Sequence, residues 1–212
     1  LLSLLIAPPV EAQIALPLSV TALPLNPEDK TQVFIGELEW RGGIAVTSED
    51  YRFGGLSDLA LSLDGRSLTA VTDQGQWLTA HLAYDARGHL GGITDARMGA
   101  LRDPRGLLLS GKTNQDAEAL TRLEDGSLLV AFERNHRLLR YPGGRLAGVP
   151  LPFAAPIQLR GAPANGGIEA LAALPGGRLL AFTEEQKTGE NSAVYLRAPS
   201  GKRARLALRY RG

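Results

Sequence analysis

Short apolar runs separated by turn residues recur along the chain, and three segments repeat the same order of features. Each segment has an apolar strand, a turn ending in glycine, a second apolar strand and an acidic residue at its end. The segments span residues 55–75, 116–135 and 167–185, and their turn glycines are Gly65, Gly126 and Gly177. Because glycine adopts the left-handed conformation at little steric cost, each segment is predicted to be a β-hairpin.

The second strands of these hairpins, "SLTAV", "SLLVAF" and "RLLAF", are apolar almost without interruption. Strands of this kind are typically covered on both faces, which a lone hairpin cannot achieve. Residues 76–98 and 136–152 supply further strand pairs with "DARG" and "PGG" turns. The pattern predicts an all-β chain, namely a β-propeller of four-stranded antiparallel blades. About four blades or fewer fit, so the chain forms either a small propeller or an incomplete fragment of a larger one.

Composition narrows the possible chemistry. The chain has 212 residues, 44% of them hydrophobic, and a formal net charge of +1. This charge gives no strong field for a polyanion, so no nucleic-acid partner is expected. The absence of cysteine excludes disulfides, thiolate catalysis and cysteine-based metal sites. With only three histidines, a multi-histidine zinc site is not expected either.

The first twelve residues differ from the rest. An apolar run over residues 1–7 precedes "VEAQ", which resembles a cleavage region after Ala12. We expect residues 1–12 to be a truncated signal peptide and residues 13–212 to be the propeller domain, which predicts a periplasmic or secreted protein. The alternative is a plain apolar first strand. No later stretch is long enough for a membrane span.

Several motifs resemble those of a known family. Residues 36–77, then "NQDAEAL", then "NGGIEALAALPGGRLLAFTEE" are similar to the phytase-like family of exported bacterial propellers, described by an esterase-like activity of phytase. The resemblance covers roughly residues 33–210. It implies a hydrolase acting on phosphate monoesters or other esters, with calcium at an acidic channel mouth as in the calcium-dependent propeller phytases.

Acidic residues recur at matching places in the repeats. Counting back eight residues from each turn glycine gives Ser57, Glu118 and Glu169. Carboxylates gathered by a rotational repeat repel one another unless a cation lies among them, and oxygen ligands favour Ca²⁺ or Mg²⁺. The predicted catalytic residues are Glu118, Glu169 and Asp116. The predicted metal ligands, with Ca²⁺ as cofactor, are Glu118, Glu169, Asp73, Glu133 and Glu184.

Four basic residues near these acids are predicted to bind substrate, because ammonium and guanidinium groups hold phosphate oxygens well. They are Arg134, His136, Arg137 and Lys187. The expected partner is a small-molecule ester or phosphate ester, and the chain is expected to be a monomer.

An alternative interpretation gives the acidic residues of the repeats a structural role. A glutamate at the start of a strand can accept backbone N–H bonds or pair with arginine on a neighbouring blade. Ser57 lacks the "GxSxG" elbow of serine hydrolases, and the sequence offers no evident nucleophile. The alternative function is therefore a non-catalytic propeller that binds a ligand or another protein.

Overall fold

The fold of the chain is mostly β. The structure, a computed structural model, describes residues 14–154, 163–183, 193–198 and 203–207. Within those residues one short helix and one 3-10 turn, Pro142–Gly144, accompany the strands. The elements are β1 (Ile14–Ala15), β2 (Ser19–Leu23), β3 (Phe34–Ile35), β4 (Leu38–Glu39), β5 (Gly43–Thr47), β6 (Leu56–Leu61), β7 (Ser67–Thr72), β8 (Gln76–Tyr84), β9 (Leu90–Ala100), α1 (Lys112–Gln115), β10 (Ala117–Arg122), β11 (Leu128–Phe132), β12 (Arg137–Tyr141), β13 (Leu151–Phe153), β14 (Ile168–Leu174), β15 (Arg178–Thr183), β16 (Ala193–Arg197) and β17 (Arg203–Ala207).

The strands form antiparallel sheets that follow the order of the chain. The first sheet has the order β1-β9-β8-β7-β6, the second β10-β11-β12-β13 and the third β14-β15-β16-β17. Two small sheets near the N-terminus pair β2 with β5 and β3 with β4. The three predicted hairpins are confirmed as the strand pairs β6–β7, β10–β11 and β14–β15. Because β10 lies against β6 and β14, these first strands of the hairpins are called the inner strands.

The turn of the first hairpin is one residue longer than that of the second. Ser62 N donates to Ser67 O, whereas Leu123 N donates to Ser127 O. The extra residue adds one to the number of positions between the turn glycine and each residue of β7, compared with β11. Asp73 and Glu133 are therefore equivalent positions, although they lie eight and seven residues after their turn glycines.

Apolar clusters join each sheet to the next. Val71 and Trp77 of the first sheet pack with Leu120 and Val130 of the second. The second and third sheets meet through a further cluster, whose members are Ala119, Leu129, Ala131, Leu138, Ile168, Leu171, Leu179 and Ala181. The nearly continuous apolar sequence of β11 thus reflects burial on both faces, whereas β15 is fully buried only at alternate positions.

The other face of the first sheet is only partly covered. Leu16 packs on Ala70, Leu78 and Met98, which lie in β7, β8 and β9. The inner strand β6 stays open, with Leu59 55% exposed. No helix among the described residues has the length and apolar character needed to cross a membrane. The predicted leader, residues 1–12, lies outside the described residues.

Candidate functional site

Each inner strand carries a β-bulge at the same place. The pairing register shifts between Leu56 and Asp58, between Ala117 and Ala119, and between Ile168 and Ala170. The extra residues are Ser57, Glu118 and Glu169, the three positions found by counting back from the turn glycines. A bulge re-aims a side chain near the end of a strand. The repeated bulge therefore presents Glu118 and Glu169 at one end of neighbouring sheets.

Asp116, just before β10, is a buried carboxylate between two cations. Its side chain is 1% exposed, and Lys112 Nζ lies 2.5 Å from Oδ1. Arg134 Nε donates to Oδ2 over 2.6 Å. Burial alone would raise the pKa of Asp116, but hydrogen bonds from Lys112 and Arg134 outweigh it and lower the pKa. Asp116 is thus held as a charged group.

Glu133 follows β11 and links two sheets. Its backbone N–H donates to Asp116 O over 2.8 Å. Its Oε1 accepts the backbone N–H of Gly167, at the start of the third sheet, over 3.2 Å. The side chain is buried, with 7% of the residue exposed. Glu133 therefore brings a carboxylate of the second sheet to the edge of the third.

Asp116, Glu118 and Glu133 form a tight acidic cluster. One carboxylate oxygen from each lies within 4.8 Å of the other two. Burial raises the pKa of Glu118 to about 7, assisted by the hydrogen bond to Asp116 and by the charges of Asp116, Glu169 and Glu133. Since Lys112 and Arg134 already form ion pairs with Asp116, a negative charge on Glu118 is poorly compensated.

A cavity of about 240 Å³ opens at this cluster. Its lining is strongly polar and comes from the second and third sheets together with α1. The lining residues are Lys112, Asp116, Glu118, Glu133, Arg134, Asn165 and Glu169.

The cluster could hold a metal ion. Ca²⁺ binds carboxylate oxygens at about 2.3–2.6 Å, so ligands on opposite sides of the ion are about 5 Å apart. The three oxygens satisfy this limit, since all lie within 4.8 Å of one another. Asp116 has both oxygens next to cationic side chains, which leaves Glu118 and Glu133 as the better placed ligands.

The predicted substrate-binding residues are only partly brought together. Arg134 lines the cavity with its guanidinium on Asp116, and its φ of 57° is unusual for a residue with a side chain. Arg137 points elsewhere: its guanidinium covers the Phe132 ring at 4.0 Å and donates to Asn114 O. His136 Nε2 bonds to Pro163 O over 2.9 Å. Lys187 lies outside the described residues.

Of the remaining predicted ligands, Asp73 and Glu169 lie in described parts of the chain but outside the cluster. Asp73, equivalent to Glu133, does not line the cavity; its Oδ2 accepts a hydrogen bond from Lys112 Nζ over 3.0 Å. Glu169 is exposed at the rim of the cavity. Glu184 lies outside the described residues.

Two cavity residues were missed from the sequence. Lys112 bridges Asp73 and Asp116, and its only local signal is the four-residue spacing to Asp116 on a short helix. Asn165 lies three residues before the third inner strand, and Asn114 lies three residues before the second. That repeated asparagine is a signal that the acid-centred search did not use.

Comparisons with known proteins place the chain in a family. No curated protein matches it. A solved structure described as a puromycin hydrolase is similar over 77% of this chain and 24% of that chain, with 16% identity and a TM-score of 0.41. The chain thus spans about a quarter of that structure. The model of a family described as "Phytase-like: Esterase-like activity of phytase" matches residues 51–211, and the chain belongs to this phytase-like family.

Proposed function

We propose that this chain is an exported phytase-like propeller hydrolase. Its substrates are phosphate monoesters or other esters, and its reaction takes place at the acidic cavity with a divalent cation, Ca²⁺ in the first instance. The three stacked sheets are taken as blades of the propeller. The apolar segment before Gln13 is taken as part of an export signal, which gives a periplasmic or secreted location.

One observation carries the proposal: the carboxylates of Asp116, Glu118 and Glu133 converge within 4.8 Å at the wall of a cavity. Like charges at this distance raise the energy of the empty site, and a bound cation removes that cost. The family membership supports an ester-hydrolysing activity.

The chain's own residues have distinct tasks. Glu118 and Glu133 would hold the cation. When bound, the cation supplies positive charge that holds a substrate oxygen and makes a nearby water more acidic. Glu169, exposed at the rim, is placed to accept a proton from an attacking water. Asp116 fixes Lys112 and Arg134 beside the cavity, where their charge attracts an anionic ester.

The test is hydrolysis of phytate, a simple phosphate monoester and a short-chain ester, each with calcium and with a chelator. The Glu118→Gln, Glu169→Gln double variant is expected to lose activity by at least about 100-fold, since it removes a cation ligand and the proton acceptor. Circular dichroism should show an unchanged fold. Unchanged turnover by the double variant would refute the site.

Exposed Glu37 provides a matched control. It lies between β3 and β4, outside the residues that line the cavity. Glu37→Gln makes the same Glu-to-Gln change and removes one negative charge, as each half of the double variant does, and activity should be retained. A parallel loss in this variant would mean that overall charge, not the cavity, governs activity.

The second candidate, a non-catalytic binding propeller, is favoured by the pairing of Asp116. Both of its oxygens are next to Lys112 and Arg134, an arrangement that stabilises the junction of α1 with the second sheet. No turnover of any of the three esters, combined with retained calcium affinity, would favour this candidate.

A further inference from the structure

The segment before the third inner strand is fixed by the turn that follows β11. Pro163 O accepts a hydrogen bond from His136 Nε2 over 2.9 Å. Ala164 O accepts the backbone N–H of Arg134 over 3.1 Å. Gly167 N also donates to Glu133 Oε1, so the turn holds this segment at three points. We call residues 163–167 the clamped segment.

Gly167 shows how closely the two parts approach. A Cβ there would lie 2.8 Å from Glu133 Cγ and 3.3 Å from His136 Nδ1. Contacts under 3.0 Å force a shift of the surrounding atoms, so the clamped segment sits against the turn without spare room. These contacts hold its backbone against the turn.

Asn165 lies in the middle of the clamped segment. It is exposed and lines the cavity, and no described residue forms a hydrogen bond with its carboxamide. Its counterpart in the preceding repeat, Asn114, behaves differently. Asn114 Nδ2 donates to Ser110 O over 3.3 Å, and Oδ1 accepts from Asn135 Nδ2 over 3.0 Å. The same position is thus structural in one repeat and open to the cavity in the next.

The hydrogen-bond donors that line the cavity differ in whether they are already paired with protein groups. Lys112 and Arg134 both contact Asp116, and Lys112 also bonds to Asp73. The Asn165 amide is a neutral donor on a fixed backbone, and amide side chains serve as donors to developing oxyanions. A neutral donor among carboxylates also avoids forming a new ion pair.

We propose that Asn165 donates a hydrogen bond to the carbonyl or phosphoryl oxygen of the ester, and that His136 is the positioning residue that holds it there. His136 acts on Asn165 through its hydrogen bond to Pro163. Because the Pro163 carbonyl can only accept, His136 Nε2 must carry the proton. The identification of the ligand as an ester rests on the proposed hydrolase function, but the donor role of Asn165 extends to any oxyanion bound in the cavity.

The test compares Asn165→Ala with Asn114→Ala in the complete chain. Loss of one neutral hydrogen bond to the substrate should lower kcat for a phosphate monoester about tenfold and weaken binding of inorganic phosphate about three- to tenfold, with Tm unchanged. Asn114→Ala should lower Tm, because its amide bonds Ser110 and Asn135.

His136 is tested by rescue. His136→Ala should reproduce the loss in kcat and speed amide hydrogen exchange at residues 164–167. His136→Gln, which keeps an N–H for Pro163 O, should restore both. Fast exchange in the alanine variant with normal kcat would show that the clamped segment does not position a substrate contact and would overturn the role of His136.

The outcomes separate the two proposals. Turnover by the wild type with identical kcat and phosphate affinity in Asn165→Ala overturns the donor role and leaves the hydrolase intact. Phosphate binding that weakens in Asn165→Ala without any turnover supports the donor role and rejects the hydrolase. A wild type that neither turns over esters nor binds phosphate rejects both.

Discussion

The carboxyl group of Glu118 stands among charges of its own sign. Burial and the neighbouring Asp116 hold its pKa at about 7, against an ordinary value of 4.5. A carboxyl group that titrates near neutral pH is suited to exchange a proton or to release one when a cation binds. The position of this residue at a bulge places it where both events affect the cavity.

Glu118 should make the folded protein less stable as pH rises from about 4.5 to about 7 in the absence of metal. In that window the unfolded chain has already lost the proton that the folded chain retains, so unfolding releases a proton and is favoured by higher pH. Urea unfolding in chelator at pH 5 and pH 8 measures this. Relative to the wild type, Glu118→Gln should lose less stability between the two pH values.

Calcium should change the stability of the folded protein in the opposite direction to the rise in pH, which provides an internal check on the role of Glu118. By binding the folded state, it should restore stability at pH 8 in the wild type and much less in Glu118→Gln. Identical pH slopes for the wild type and the variant would show that Glu118 titrates normally and that the cluster is not crowded.

At the scale of elements, the junction between the turn after β11 and the clamped segment joins the second and third sheets at the site. It consists of hydrogen bonds to Pro163, Ala164 and Gly167 and a close packing of Gly167 on Glu133. Since these groups border the cavity, its geometry depends on how the two sheets meet.

Gly167→Ala should destabilise the protein by about 1–3 kcal/mol, because the added methyl group overpacks a junction with no room for it. Gly91→Ala in β9 is the matched control, since a Cβ there meets no atom within 4 Å. Thermal unfolding of both variants measures the difference. Equal changes in Tm would mean that the junction relaxes freely.

At the scale of the whole molecule, the repeat places an equivalent leucine on each inner strand. Leu120 and Leu171 are buried against the preceding sheet, with 3% and 9% exposure. Leu59, the same position in the first sheet, is 55% exposed. Sheet-on-sheet contact, rather than the residue itself, thus determines how much each leucine contributes.

Leu120→Ala should cost about 2–5 kcal/mol of unfolding free energy, because it leaves a cavity between two sheets. Leu59→Ala should cost about 1 kcal/mol or less, since most of its side chain is already exposed. Denaturant unfolding at one protein concentration measures both. A cost for Leu59→Ala equal to that of Leu120→Ala would show that another part of the protein covers β6.

The sequence predicts the repeats well because their features are local. Each repeat shows its turn glycine, its apolar strands and its acidic residues within about twenty residues. These features pointed to Glu118, Glu169 and Glu133, which line the cavity. Contacts between distant residues were not visible. Lys112 reaches Asp73 across 39 positions, and Arg137, read as a substrate-binding base, instead covers the buried Phe132 ring. Charge alone does not reveal whether a guanidinium meets solvent, a carboxylate or an aromatic face.

The bulge common to the three inner strands has an evolutionary consequence. It is a feature of backbone pairing and persists with Ser57, Glu118 or Glu169 in place. A duplicated repeat therefore inherits a side chain aimed at the same end of its sheet, whatever that side chain is. Substitution at one position per repeat can alter the chemistry of the cavity while strand pairing, and with it folding, is left unchanged.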